Sequence, residues 1–136
     1  MRLENCTDFS NKLLKDIAKF SCNQLGITTR DVSTMYCLAR SSWGGRAYYP
    51  SNRVVINVAN DWPFHLPASF PCKFMGGMVA NDPLEALTYL IGHELAHIAQ
   101  FKLGWKRGES VPSRTGILIA ELYLKGVTGG EQGSSR

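Results

Sequence analysis

Residues 89–101 read YLIGHELAHIAQF and contain two of the three histidines in this chain of 136 residues. His93 and His97 are four residues apart, which is about one turn of an α-helix, so both imidazoles project from the same helix face. Glu94 directly follows the first histidine, and the rest of the stretch is mostly apolar. The pattern predicts either a metal site on a helix or a chance coincidence on a helix surface.

Signals for the start and the end of a helix flank this stretch. Asp82 is a typical N-cap, Pro83 suits the first helical position, and Glu85 falls where it completes a capping box. Gly104 suits the left-handed residue that follows a helix. We therefore expect one helix over residues 83–103. Because apolar residues occupy both of its sides, it should be buried, with both histidines facing an enclosed cleft.

Two histidines and a glutamate in this order suit a zinc ion with a water molecule beside it. Neutral imidazole binds zinc at about 2.0–2.1 Å, and bound zinc lowers the pKa of water to about 7. Glu94 is turned by about 100° from His93, so it can take a proton from that water without binding the metal. A buried carboxylate without a cation would be unfavourable, which argues against coincidence. The motif predicts one zinc ion per chain and hydrolysis of amide or peptide bonds, with Glu94 as general base.

A catalytic zinc needs a third protein ligand, and no histidine follows His97. Glu109 lies in the link after the motif helix, whereas Glu121 is the single carboxylate of the apolar run GILIAELYL. A lone carboxylate on an otherwise apolar helix needs a partner, and a cation bound in the cleft would provide one. We therefore predict Glu121 as the third ligand, with Glu109 as the alternative and His65, in a proline-rich segment, as a further candidate.

The N-terminal half predicts a helix and a small sheet. Residues 8–25 carry apolar side chains at helical spacing and precede Gly26, which predicts an amphipathic helix packed on the sheet. Residues 46–49 and 53–59 read as strands joined by a Pro-Ser-Asn turn, and residues 32–40 fit either a strand or a helix.

The C-terminal part predicts a second helix and a tail. Ser113 can cap a helix over residues 114–125 that Gly126 closes. The Gly/Ser-rich residues 127–136 are predicted to be a flexible tail. The fold class expected from all these elements is α+β, with residues 1–126 forming a single domain.

Charge and composition exclude several classes of protein. The net charge of +4 comes from scattered lysines and arginines, which favours a solvated surface over a nucleic-acid groove. The four cysteines form no C-x-x-C pair, which predicts free thiols in a reducing compartment. We find neither an apolar leader nor a run of about 18 apolar residues, so we expect a cytoplasmic protein without membrane contact.

Residues 46–125 resemble the zincin metallopeptidases, and among them the minimal gluzincins, where a glutamate on a second helix follows H-E-x-x-H. SprT-like proteases, which act near DNA, are a similar neighbour. The resemblance implies a zincin-like fold, a peptide or protein substrate, and zinc held by His93, His97 and Glu121.

The segment RVVINVAN, residues 53–60, is similar to the edge strand along which an extended substrate aligns in zincins. Val55 and Asn57 are therefore expected to bind substrate by strand addition. Tyr123 and Arg114, with Tyr89 and Tyr48, are candidates to stabilise an oxyanion.

Lys125 stands where some gluzincins carry an acid that orients a histidine, so the partner of the imidazoles stays unassigned. Two alternatives to an active peptidase remain open. One is a latent zinc-binding domain whose cleft is filled by residues 62–78 or by the tail. The other is a protease associated with nucleic acid through the basic residues of 102–107, which salt-dependent DNA binding would indicate.

Overall fold

The computed structural model describes residues 1–59, 70–74 and 77–132, with the backbone alone for residues 127–132. Its elements, in chain order, are β1 (Arg2–Asn5), α1 (Asn11–Leu25), a short 3-10 turn (Thr29–Asp31), β2 (Thr34–Arg40), β3 (Gly44–Tyr48), β4 (Arg53–Ala59), β5 (Cys72–Lys73), β6 (Val79–Ala80), α2 (Pro83–Leu103) and α3 (Ser110–Gln132). The predicted α+β class is confirmed. None of the helices in the described ranges combines the length and apolar character needed to cross a bilayer.

Four strands form one mixed sheet in the order β1-β2-β4-β3. β1, β2 and β4 run parallel, whereas β3 runs antiparallel to β4 and lies at the edge. The two strands predicted on either side of the Pro-Ser-Asn turn are thus confirmed as a hairpin. The stretch that fitted either a strand or a helix is the strand β2.

The sheet corrects the prediction that residues 53–59 form its edge. β4 pairs with β2 on one side and with β3 on the other, so its backbone is not open to a further strand. Val54 and Ile56 are fully buried in the core under the helices. Because successive strand residues face opposite sides, Val55 and Asn57 point away from the helices and do not line a cleft beside α2.

α1 begins at Asn11 rather than at residue 8. Ser10 is the N-cap, and its hydroxyl accepts a hydrogen bond from the Leu13 N–H at 3.1 Å. The residues before it form a turn in which the side chains of Asn5 and Thr7 accept backbone N–H groups. These local hydrogen bonds compete with the helix and delay its start.

α2 has the predicted bounds, and both of its ends have local causes. The carboxylate of Asp82 accepts a hydrogen bond from the Glu85 N–H at 2.8 Å, and Gly104 adopts φ 70° after the last turn. Every residue from 86 to 100 except His97 is buried. α2 is therefore a core helix that carries two imidazoles and a carboxylate in its middle.

α3 is longer than predicted at both ends. It begins at Ser110. Pro112 is compatible with this start because it falls in the first turn, where a missing N–H breaks no helical hydrogen bond. The helix continues through Gly126 to Gln132, and an interior glycine lowers helix stability by only about 1 kcal/mol. Residues 127–132, predicted as the start of a flexible tail, continue the backbone of α3.

Two glycines let α2 and α3 approach closely. A methyl group at Gly92 would lie 3.1 Å from the nearest atom of the Ile119 side chain. A methyl group at Gly116 would lie 3.0 Å from the carbonyl oxygen of Tyr89 and 3.1 Å from its ring. The position of Tyr89, one turn before His93, therefore depends on this contact between the helices.

We predict that Gly116→Ala lowers the free energy of unfolding by about 1–3 kcal/mol, because an added methyl overpacks the contact with Tyr89. Gly126→Ala is the matched control, since a methyl group there would lie within 4 Å of no atom outside the adjoining backbone of its own helix. The control should raise helix stability by up to about 1 kcal/mol. Urea unfolding followed by circular dichroism measures both, and equal stability of the two variants would contradict the prediction.

Candidate metal centre

Three side chains converge at the middle of α2. Nε2 of His93 lies 2.9 Å from Oε1 of Glu109, and Nε2 of His97 lies 3.1 Å from the same oxygen. The three potential ligand atoms lie within 4.8 Å of one another, and within the described part of the chain no other such cluster occurs. Tetrahedral bonds of about 2.0–2.1 Å separate ligand atoms by about 3.3 Å, close to these distances.

Glu109 comes from the loop of residues 104–109, which connects α2 to α3 and is here called the Glu109 loop. Glu109 is the last residue before α3, and its backbone carbonyl accepts a hydrogen bond from the Ser113 N–H of the first turn at 2.9 Å. The helix start thus fixes the backbone beside the ligand. Glu109, the alternative from the sequence, takes the place predicted for Glu121.

Glu121 does not reach the two histidines. Its side chain is exposed and borders a small cavity beside Val79 and Glu85, more than two turns before His93 on α2. The apolar run that suggested burial also carries Leu118 and Leu122, which are 52% and 38% exposed. Glu121 therefore lies on a partly apolar surface, where a carboxylate needs no cation.

Each histidine also has a partner at its second ring nitrogen. Nδ1 of His93 lies 3.1 Å from the Tyr89 hydroxyl, and Nδ1 of His97 lies 2.8 Å from Oε1 of Gln100. These are the orienting partners that the sequence left unassigned. The spacing of four and three residues along one helix face could have indicated both.

Gln100 determines the proton position on His97. The Gln100 amide nitrogen donates to the carbonyl oxygens of Lys106 and Gly108 at 2.7 and 2.9 Å, which orients the amide with its oxygen toward His97. An amide oxygen only accepts, so Nδ1 of His97 must carry a proton. In the neutral ring, Nε2 then presents a lone pair to the Glu109 carboxylate, and two acceptors face each other at 3.1 Å.

The surroundings lower the pKa of both His93 and Glu109. Burial lowers the pKa of His93, and the nearby His97 lowers it further, against the opposing effect of Glu109. Burial alone would raise the pKa of Glu109, but the hydrogen bond from His93 and the proximity of His97 outweigh it and hold that pKa below its usual value. A neutral imidazole with an ionised carboxylate is the protonation state that a metal ion requires.

Glu94 lies beside the cluster without joining it. The residue is 5% exposed, and a methyl group at Gly45 of β3 would lie only 2.8 Å from its Cγ and Oε2. Gly45 pairs with Ile56, so its open side faces α2. Burial and the charge of Glu109 raise the pKa of Glu94 to about 8, against the opposing charge of Arg46. No feature of the sequence indicated this contact with Gly45.

A cleft extends on both sides of Glu94 and Glu109. One part has a volume of about 550 Å³ and is lined by Phe74, Tyr89 and Arg114, among others. The other part, of about 350 Å³, lies toward His97 and Phe101. Both parts are bordered by Gly45, so the cleft follows the edge strand β3. Within the described residues, the histidines therefore border a groove between β3 and α2, where an enclosed cleft was predicted.

The remaining candidates from the sequence lie at different places. Tyr123 is not at the cleft, because its hydroxyl donates to Oδ2 of Asp16 at 2.8 Å, and burial raises its pKa. Arg114 lines the larger part of the cleft, so its oxyanion role stays a prediction. Tyr48 is exposed at the end of β3, and His65 lies outside the described residues.

Comparison of the chain with protein-family models, curated proteins and solved structures finds no match.

Proposed function

We propose that this chain is a zinc-dependent peptidase. His93, His97 and Glu109 hold the metal ion, Glu94 is the general base, and β3 aligns the peptide. The proposed fold-level relationship is to the zincins, with Glu109 in place of the expected Glu121. The observation that carries the proposal is the convergence of two imidazole nitrogens on one carboxylate oxygen, with Glu94 buried next to them.

The residues fit a zinc ion because a cation bound between them would satisfy both His97 and Glu109. The lone pair of His97 and an oxygen of Glu109 face each other at 3.1 Å, which is unfavourable unless a positive charge lies between them. Two imidazoles and one carboxylate are a common set of protein ligands for catalytic zinc, which keeps a fourth position open. Imidazole ligands also suit other transition metals, so the choice of zinc rests on the ligand number and the open position.

Zinc bound at this centre would supply a Lewis acid and a water made nucleophilic at neutral pH. Glu94 would take the proton of the attacking water and deliver it to the leaving amine, as a general base and then a general acid. Its contact with Gly45 holds the carboxylate at the floor of the cleft. Tyr89 and Gln100 would keep the imidazoles turned toward the metal.

A peptide is the substrate that this cleft suits best. Among the described residues β3 pairs with β4 on one side only, so within that part of the chain its other side has backbone N–H and C=O groups open to a further strand. The cleft follows that strand on both sides of Glu94. An extended peptide paired with β3 would pass directly over the metal centre, with affinity from main-chain hydrogen bonds.

A latent zinc-binding domain is a second candidate, favoured by one observation. Phe74 belongs to the segment 62–78 that was expected to fill the cleft, and its ring lies 5.3 Å from the Tyr89 ring. The same ring lines the larger part of the cleft. In a latent protein, zinc would bind normally and Phe74→Ala would be needed before any peptide is cleaved.

We predict that wild type and Glu121→Ala each retain one zinc per chain after dialysis, whereas Glu109→Ala loses it. Removing a ligand should weaken zinc binding by more than the 10–100-fold typical of losing an outer hydrogen-bonding partner. Zinc measured by mass spectrometry alongside protein concentration tests this. Zinc retained by Glu109→Ala but lost from Glu121→Ala would contradict the ligand set.

We predict that Glu94→Gln keeps its zinc but cleaves unfolded casein about 10²–10⁴-fold more slowly, because the amide cannot accept the proton. Product masses measured over time give both rates. A variant that cleaves as fast as wild type would exclude Glu94 as the base.

We predict that Gly45→Ala also keeps its zinc and lowers kcat/KM by at least about tenfold, because a shift of about 1 Å in a catalytic group can reduce the rate about 10²-fold. Gly44→Ala is the matched control on the same strand. A methyl group at Gly44 would lie 3.9 Å from Nδ2 of Asn57, on the face away from Glu94. Equal losses in the two variants would indicate a general effect on β3 instead.

A further inference from the structure

Gln100 is a buried polar side chain whose two N–H groups and carbonyl oxygen all have hydrogen-bond partners. It is 2% exposed, and its amide makes three hydrogen bonds: to Nδ1 of His97 at 2.8 Å and to the carbonyl oxygens of Lys106 and Gly108 at 2.7 and 2.9 Å. One end of the amide therefore contacts a histidine of the metal centre, and the other end contacts the Glu109 loop. The backbone carbonyl of Gln100 also accepts the Trp105 N–H at 3.0 Å.

We infer that Gln100 is a positioning residue that couples His97 to the Glu109 loop, so that the imidazole and the carboxylate ligand are held in place together. The inference rests on the proposed zinc site and goes beyond it. It states that loss of Gln100 weakens metal binding by releasing the loop as well as by freeing the His97 ring.

The Glu109 loop needs such a contact. The side chain of Glu109 is 67% exposed, so burial does little to fix it. The backbone of the loop passes through two glycines with positive φ, Gly104 at 70° and Gly108 at 108°, a path that few other residues adopt. Gln100 binds the carbonyl of Gly108, the residue next to Glu109, and so limits where the carboxylate can lie.

The two ends of the amide can be tested separately. Gln100→Glu keeps an acceptor for the His97 N–H but cannot donate to the two loop carbonyls. Gln100→Met has a similar length and removes all three hydrogen bonds. Gln24→Met makes the same chemical change at an exposed position of α1 and is the matched control.

The test measures zinc dissociation constants by competition with a chromophoric chelator, together with hydrogen exchange of the amides of residues 105–110 with and without zinc. We expect Gln100→Met to raise the dissociation constant about 10–100-fold, the range typical of losing an outer partner of a ligand. Gln24→Met should stay within about twofold of wild type. Gln100→Glu should bind zinc more tightly than Gln100→Met, while its loop amides exchange as fast as those of Gln100→Met.

Two results would overturn the inference alone. One is an equal zinc dissociation constant for wild type and Gln100→Met. Even if the variant unfolds at a lower temperature, Gln100 would then have only a structural role. The other is hydrogen exchange of the loop amides in Gln100→Glu that is as slow as in wild type. The coupling would then not depend on the hydrogen bonds to the two carbonyl oxygens. A wild type that takes up no zinc would overturn the proposed function and this inference together.

Discussion

The structure depends on the burial of α2 along nearly its whole length. A helix in the core is stabilised by apolar contact, but α2 also takes one imidazole, a carboxylate and an amide out of water and partly buries a second imidazole, and each of these needs a partner. Tyr89, Gln100 and Glu109 provide partners for the rings. The pKa of Glu94 is raised mainly by its burial. A cation at the cluster would lie between His97 and Glu109, and its charge would favour the ionised form of Glu94.

Glycine provides the short distances that this arrangement needs. Gly116 lets α3 approach the backbone of Tyr89, and Gly45 lets the edge strand approach Glu94. The first contact fixes the tyrosine that orients His93, and the second fixes the carboxylate relative to the open edge of the sheet. Packing on both sides of α2 is therefore linked to the geometry of the centre, and one added methyl group at either glycine would disturb it. The cleft borders β3, which, unlike β4, pairs with one strand only among the described parts of the chain.

The elements that could be predicted are those determined by neighbours in the chain. The bounds of α2 follow from Asp82 and Gly104, and the shared face of His93 and His97 follows from helical periodicity. The strand β1 was missed, because its four residues are stabilised by parallel pairing with β2, which lies beyond α1 in the chain. The start of α3 was placed too late because Ser113 was taken as the N-cap, whereas the helix already begins at Ser110 and accepts Pro112 in its first turn.

The sequence by itself determined α2, its two imidazoles and the position of Glu94 beside them, because caps and a period of 3.6 residues act over one or two turns. Only the tertiary structure decided which glutamate completes the cluster and which strand borders the cleft. Glu109 reaches the histidines because the Glu109 loop folds back onto Gln100, whereas Glu121 faces outward with Leu118 and Leu122. Whether a given carboxylate lies in a cleft or on a surface depends on how the helices pack. The residues next to it in the chain do not distinguish the two outcomes.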